Sequence, residues 1–137
     1  MKYLVMVLGT QADYEGMRGE ASEYSPAWSQ EELRAMYAYM GAINDDLAET
    51  GEMIDGQGLA EPARARVVRV GADGEPVIVD GPYGESEELL AGYWLLDCDS
   101  LDRVTEIAAR VARCPVPVGA KEYPVVIRPV MEGAGGD

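Results

Sequence analysis

The sequence predicts an α+β protein, a ferredoxin-like split β-α-β arrangement with an extra β-hairpin inserted. Three observations predict it. Strand-like runs and two amphipathic helical stretches follow one another in the order β-α-β-(β-β)-β-α-β. Asp73-Gly74 joins two short β-rich runs, a strong hairpin signal. Two helices can cover only one face of the resulting sheet, yet its main strands are apolar on both. The 137 residues, 47% hydrophobic, suit a single domain with one core.

Lys2 to Gly9 reads as the first strand. Tyr3, Val5 and Val7 point one way and Leu4, Met6 and Leu8 the other, so both faces call for cover. Thr10 to Trp28 is polar and lacks a sustained period; it reads as a long loop, either a mobile surface segment or a ligand lid. Ser29-Gln30-Glu31-Glu32 is a capping box. The helix it starts places Leu33, Met36, Tyr37, Met40, Ile43 and Leu47 on one face, and Gly51 ends it. This Met and Tyr stripe reads as core. Met53 to Leu59 is a second strand, in which Gly56 and Gly58 permit a bend or the close approach of a ligand. Ala65–Val70 and Pro76–Val79 form the hairpin. Leu89 to Cys98 is a central strand, with Tyr93 and Leu95 on one face and Trp94 and Leu96 on the other. Asp99 or Ser100 caps a second helix, with Leu101, Val104, Ile107, Ala108 and Val111 inward. Asp99 and Asp102 in its first turn suit the helix dipole. Cys114-Pro115 ends it, Pro117 and Gly119 turn the chain, and Tyr123 to Val130 is the last strand. The domain spans residues 1–130, and 131–137 reads as a disordered tail.

Water on the helix-free side would meet a large apolar patch. The sequence therefore predicts a homodimer whose two sheets face each other as a dimeric α+β barrel.

Composition excludes several functions. The net charge of −14, from 25 acidic and 11 basic residues, opposes binding to nucleic acid or to anionic membranes. The longest apolar run, Tyr3 to Leu8, is too short for a bilayer span and lacks the features of a secretory leader, so a cytoplasmic protein is expected. No histidine is present, which removes Ser-His-Asp triads, Cys-His dyads and His-ligated zinc. Asp97-Cys98-Asp99-Ser100-Leu101-Asp102 lacks the glycine and the glutamate of a calcium loop, and Gly56 and Gly58 make no phosphate loop. No metal and no cofactor are expected. Cys98 and Cys114 read as free thiols, with a redox pair as the alternative.

The chemistry-bearing residues concentrate in Asp80-Gly81-Pro82-Tyr83 and on the strands beside it. Asp80 reads either as a turn carboxylate bonded to nearby N–H groups or as a pocket-facing acid or base. Arg128 interrupts an apolar face between Val126 and Val130 and needs a partner. That partner is Asp80 or Asp97 in an ion pair, or else a ligand carboxylate or phosphate held by the guanidinium fork. Tyr3 and Tyr93 read as core, or as hydroxyl donors to the same cavity. Glu85, Glu87 and Glu88 form a solvated acidic loop.

Five short motifs occur in order: Gly56-Gln57-Gly58-Leu59, Asp80-Gly81-Pro82-Tyr83, Ala91-Gly92-Tyr93-Trp94-Leu95-Leu96-Asp97, Ala112-Arg113-Cys114-Pro115 and Ile127-Arg128-Pro129-Val130. Together, from Met1 to Val130, they resemble the DGPF proteins of the YCII-related superfamily, with Tyr83 where the name has Phe. The resemblance implies a dimeric α+β barrel and a bacterial protein whose relatives lie beside genes for extracytoplasmic-function sigma factors, making a sigma factor a candidate partner. It implies no firmly established activity. Other superfamily members, one a dehydrochlorinase of chlorinated hydroxyquinols, use a His–Asp pair in a cleft between sheet and helix. Those positions correspond approximately to Met40 and Cys114, so that chemistry is not implied for this chain.

Two functions follow. The first is a dimeric small-molecule-binding or regulatory module linked to sigma-factor signalling. Its pocket would use Asp80, Gly81, Pro82, Tyr83 and Arg128, with Tyr3, Gly58 and Tyr93 nearby. The alternative is a His-independent lyase or isomerase of a small carbonyl or phenolic compound, with Asp80 as base and Tyr83 or Tyr93 as acid.

Overall fold

The computed structural model describes residues 1–132. Six strands and three helices follow in the order β1 (Lys2–Gly9), α1 (Gln11–Met17), α2 (Gln30–Thr50), β2 (Met53–Gly58), β3 (Arg66–Val70), β4 (Pro76–Asp80), β5 (Leu89–Asp97), α3 (Leu101–Ala112) and β6 (Val126–Pro129). A single 3-10 turn at Pro62–Arg64 precedes β3. Four strands form an antiparallel sheet in the order β2-β5-β1-β6. β1 and β2 run the same way with β5 opposed between them, so the connection through α2 crosses an intervening strand. The sheet is open, with β2 and β6 at its edges. β3 and β4 form a separate two-stranded ribbon rather than joining it.

The core lies between this sheet and two helices. Tyr3 and Val5 of β1 and Trp94 and Leu96 of β5 meet Ile43 and Leu47 of α2 and Val104, Ile107 and Val111 of α3. The indole N–H of Trp94 donates to Asn44 Oδ1 at 2.7 Å, so the one polar atom of that ring is satisfied. Gly56 makes room for the ring: a Cβ there would sit 3.0 Å from Trp94 Cδ1. Packing against Trp94 accounts for this glycine without a ligand.

Both capped helices form where expected. Ser29 accepts from the Glu32 N–H, Glu32 returns a bond to the Ser29 N–H, and Gly51 closes α2 with a φ of 80°. Ser100, not Asp99, caps α3. Tyr37 and Leu101, expected inward, are exposed instead. Residues 10–28 hold the main departure. Gln11–Met17 is helical, started by a second capping box between Thr10 and Asp13. The remainder folds back on it, the Trp28 N–H donating to Gly16 O at 2.8 Å. The last strand is four residues long, beginning at Val126 rather than Tyr123. The disordered tail expected at 131–137 lies, from residue 133 on, outside the described residues.

An ion pair fastens α3 to the start of β2. Arg103 donates to both Glu52 oxygens, at 2.9 and 2.8 Å, and the Thr50 hydroxyl adds a bond at 2.8 Å. The Arg103 hydrogen bonds hold the Glu52 carboxyl at about 2, below its ordinary 4.5. A depressed carboxylate contributes stability that is present above pH 4.5 and lost as pH falls toward 2. Arg103 is 39% exposed, so screening reduces the contribution to about 1–2 kcal/mol. Glu52→Gln is expected to lose that amount at pH 7 and to flatten the acid limb of the stability curve between pH 4.5 and 2. Urea titrations across that range measure it. An acid limb unchanged by the substitution would remove Glu52 as its source.

Candidate functional site

The structure distributes the predicted site residues over three places. Asp80, Gly81, Pro82 and Tyr83 stand at the root of the β3–β4 ribbon. Asp80 lies opposite Arg66, whose guanidinium donates to both carboxylate oxygens at 2.6 and 3.3 Å. Both side chains are mostly exposed. This carboxylate is solvated and paired across a hairpin. At Gly81 the backbone adopts a φ of +56°, and its N–H donates to Ala65 O at 2.7 Å. A Cβ there would lie 2.9 Å from Ala63 O, so the turn admits glycine alone without strain.

The root is clamped by α1. The Ala63 N–H donates to the side-chain oxygen of buried Gln11 at 2.8 Å, and the Gln11 amide donates to Glu15 at 3.0 Å. Arg18 pairs with Glu61. The Ala12 N–H donates to Glu85 O at 3.0 Å, tying down the far side of the motif loop. A second set of bonds holds α1 to the sheet end. The Tyr123 hydroxyl donates to Asp13 Oδ2 at 2.6 Å, which also accepts the Thr10 N–H, and the Tyr14 hydroxyl donates to Leu59 O. Burial, with the Asp13 bond next, pushes the Tyr123 phenol up to about 12. The donors in this set have their acceptors, so the set anchors structure.

Tyr93 and Arg128 lie elsewhere, on the helix-free face of the sheet. Tyr93 is opposite Met6 and Gln57, and Arg128 is opposite Leu4. The Tyr93 hydroxyl donates to Asp55 Oδ2 at 3.0 Å, and the Gln57 amide donates to Asp55 Oδ1 at 3.3 Å. The bond to Asp55 raises the Tyr93 phenol above its ordinary value. Half-buried Leu4, Met6, Leu95 and Val126 surround these polar groups. One strand separates Tyr93 from Arg128, placing their Cα atoms roughly 12 Å apart by strand geometry, within reach of one small ligand. Gly58 ends β2 opposite Gly92, in step with Gly56 and so on the helix-covered side of the sheet, away from Tyr93 and Arg128.

Two expectations are corrected. Arg128 is exposed and pairs with neither aspartate: Asp80 takes Arg66, and Asp97 takes the terminal ammonium of Met1 at 3.0 Å. Tyr3 does not share a cavity with Tyr93. It is buried on the opposite face, its hydroxyl donating to Met1 Sδ at 3.1 Å. Sequence reasoning missed Asp55 and Gln57. Their signal was available as polar residues two apart in a strand, which must share a face. It also missed Gln11, whose helix was read as loop.

The two cysteines are free; Cys98 is buried and Cys114 half-buried. Burial first, and Glu52 next, push the Cys98 thiol up to about 11, so it is unreactive at neutral pH. A groove of about 590 Å³ runs between α2 and α3 over Ile43, Leu47 and Ile107, and none of the predicted site residues lines it. Its Arg110 and Arg103 are paired with Asp46 and Glu52. Among the described residues, no helix is long and apolar enough to cross a membrane.

Fold and site together define a small α+β protein with helices on one face of an antiparallel sheet and a polar cluster on the other. The chain belongs to the YCII-related domain family, which matches residues 1–126. It is also similar to an uncharacterized protein of Rhizobium meliloti (strain 1021), 31% identical over 96 residues that cover 70% of this chain and 77% of that one.

Proposed function

We propose that the protein is a small-molecule-binding module whose two copies pair through their helix-free sheet faces, enclosing the ligand between them. The observation that carries this reading is the Tyr93–Asp55 hydrogen bond standing on an otherwise apolar face, with the exposed guanidinium of Arg128 across β1. Face-to-face sheets sit about 10 Å apart, enough for side chains and a small organic molecule. Leu4, Met6, Leu95 and Val126 supply apolar contact, Arg128 a fork for a carboxylate or phosphate, and the Tyr93–Asp55 pair a donor and acceptor that fix orientation. The ligand class is a small anion with an apolar or ring portion. Asp80 has no part in this site.

A thermal-shift screen of small aromatic and aliphatic carboxylates and phosphates, with their neutral amides as controls, tests the reading. A ligand at about 100 times its dissociation constant stabilises by about 2.7 kcal/mol, a shift of several degrees for a chain of this size. Anions are expected to stabilise wild type, Arg128→Ala to abolish the shift, and Tyr93→Phe to weaken it. A shift that survives both substitutions places the ligand elsewhere.

A further inference from the structure

The β3–β4 ribbon is built as an arm. Its root is fixed by Gln11, by the Gly81 turn and by the Arg66–Asp80 pair, yet its shaft meets little of its own subunit. Val68 faces Ile78 across the ribbon and Val70 faces Pro76. These apolar residues are left in water, Val68 at 59%, Val70 at 75% and Ile78 at 55% exposure. A lone two-stranded ribbon is marginal in water, and both of its outer edges are open to pairing.

We propose that the arm docks on a second copy of this chain, extending the sheet-to-sheet contact with its Val68–Val70–Ile78 face. The proposal rests on the pairing proposed above and adds a second contact to it. Two features identify the occupant. The first is charge. Arg64, Arg66 and Arg69 place three arginines within six residues of a chain whose net charge is −14. The ion pairs of the described residues engage neither Arg64 nor Arg69. Asp73, Glu75 and Asp80 balance these arginines, so the arm is neutral while the rest of the chain carries the whole −14. A neutral arm with an arginine-bearing strand meets the acidic body of another copy without the repulsion that body would meet from itself.

The second feature is area. The main sheet has strands of 8, 6, 9 and 4 residues. At about 3.4 Å per residue and 4.8 Å between strands, its open face is on the order of 400 Å². A stable interface buries about 800 Å² of accessible surface per partner, and a sheet of this small footprint leaves little margin above that figure. The arm supplies further apolar surface contiguous in sequence with the β2–β5 edge.

Sedimentation velocity combined with amide exchange tests this on the full chain. Wild type is expected to sediment as a dimer at micromolar concentration, with the amides of 66–70 and 76–80 more protected in concentrated than in dilute protein. Val68→Ser with Ile78→Ser is expected to raise the dimer dissociation constant by roughly 10- to 100-fold and to abolish that concentration-dependent protection. Both positions are solvent-exposed, so circular dichroism should report an unchanged subunit fold. A dimer whose arm amides exchange equally at both concentrations, and whose constant ignores the substitutions, overturns the arm while leaving the paired sheets standing. A single subunit at every concentration overturns both.

Discussion

Replacing Leu96 with alanine is expected to lower the stability of the protein by about 2–5 kcal/mol, one of the two largest losses anticipated here for a single side chain. Leu96 is fully buried, at 0% exposure. It lies on β5 between Tyr3 of β1 and Met53 of β2, on the face that receives both long helices. Its removal leaves a cavity at the junction of three elements, none of which can move in without separating from the others. The midpoint of urea unfolding measures the loss. Leu95, its neighbour in sequence, points to the helix-free face and is only half-buried. Leu95→Ala is therefore expected to cost no more than about 1 kcal/mol in dilute protein. Under the proposed pairing it also makes the melting temperature less dependent on protein concentration, because it weakens the dimer and not the subunit. Equal losses for the two substitutions in dilute solution would mean that the helices do not define the core side.

The contrast between Leu95 and Leu96 also shows what the sequence reveals and what it withholds. Alternation along β1 and β5 separates the two faces within each strand, and the structure keeps that separation. Which face of one strand continues into which face of the next depends on register, a non-local property. Tyr3 pairs with Leu96 and Tyr93 with Met6, so the two tyrosines, read from the sequence as core or as hydroxyl donors to one cavity, stand on opposite sides of the sheet. The capping box at Ser29 was legible because a long amphipathic period follows it. The same device at Thr10 and Asp13 was not, because α1 has only seven residues and buries Gln11, Ala12 and Gly16 rather than a stripe of large apolar groups. Missing α1 hid the clamp on the motif loop. The Arg66–Asp80 pair, by contrast, follows from counting outward through the hairpin around Asp73-Gly74. That count puts Asp80 beside Arg66 and releases Arg128 from an assumed partner.

Replacing Gly81 with valine is expected to cost about 2–3 kcal/mol, from two sources that act together. The first is conformational. A φ of +56° is unfavourable for any side chain and more so for a β-branched one. The second is steric. The new Cβ would sit 2.9 Å from the backbone oxygen of Ala63, which cannot rotate away as a side chain can. Ala63 is itself held by Gln11 of α1, so relief at the turn must pull on the clamp. Thermal melts measure the overall cost, and exchange of the Gly81 and Ala63 amides measures its location, since these two N–H groups bond Ala65 and Gln11. Gly84 provides the control. A Cβ there meets nothing within 4 Å and its φ is not positive, so Gly84→Ala is expected to change stability by less than about 0.5 kcal/mol. The effect should also reach the arm, because Gly81 fixes the direction in which β4 leaves the body. In the paired protein, Gly81→Val is therefore expected to weaken association as well as folding. Should it melt with wild type and pair as tightly, the motif would not be the root of the arm, and its glycine would have to answer to a ligand instead.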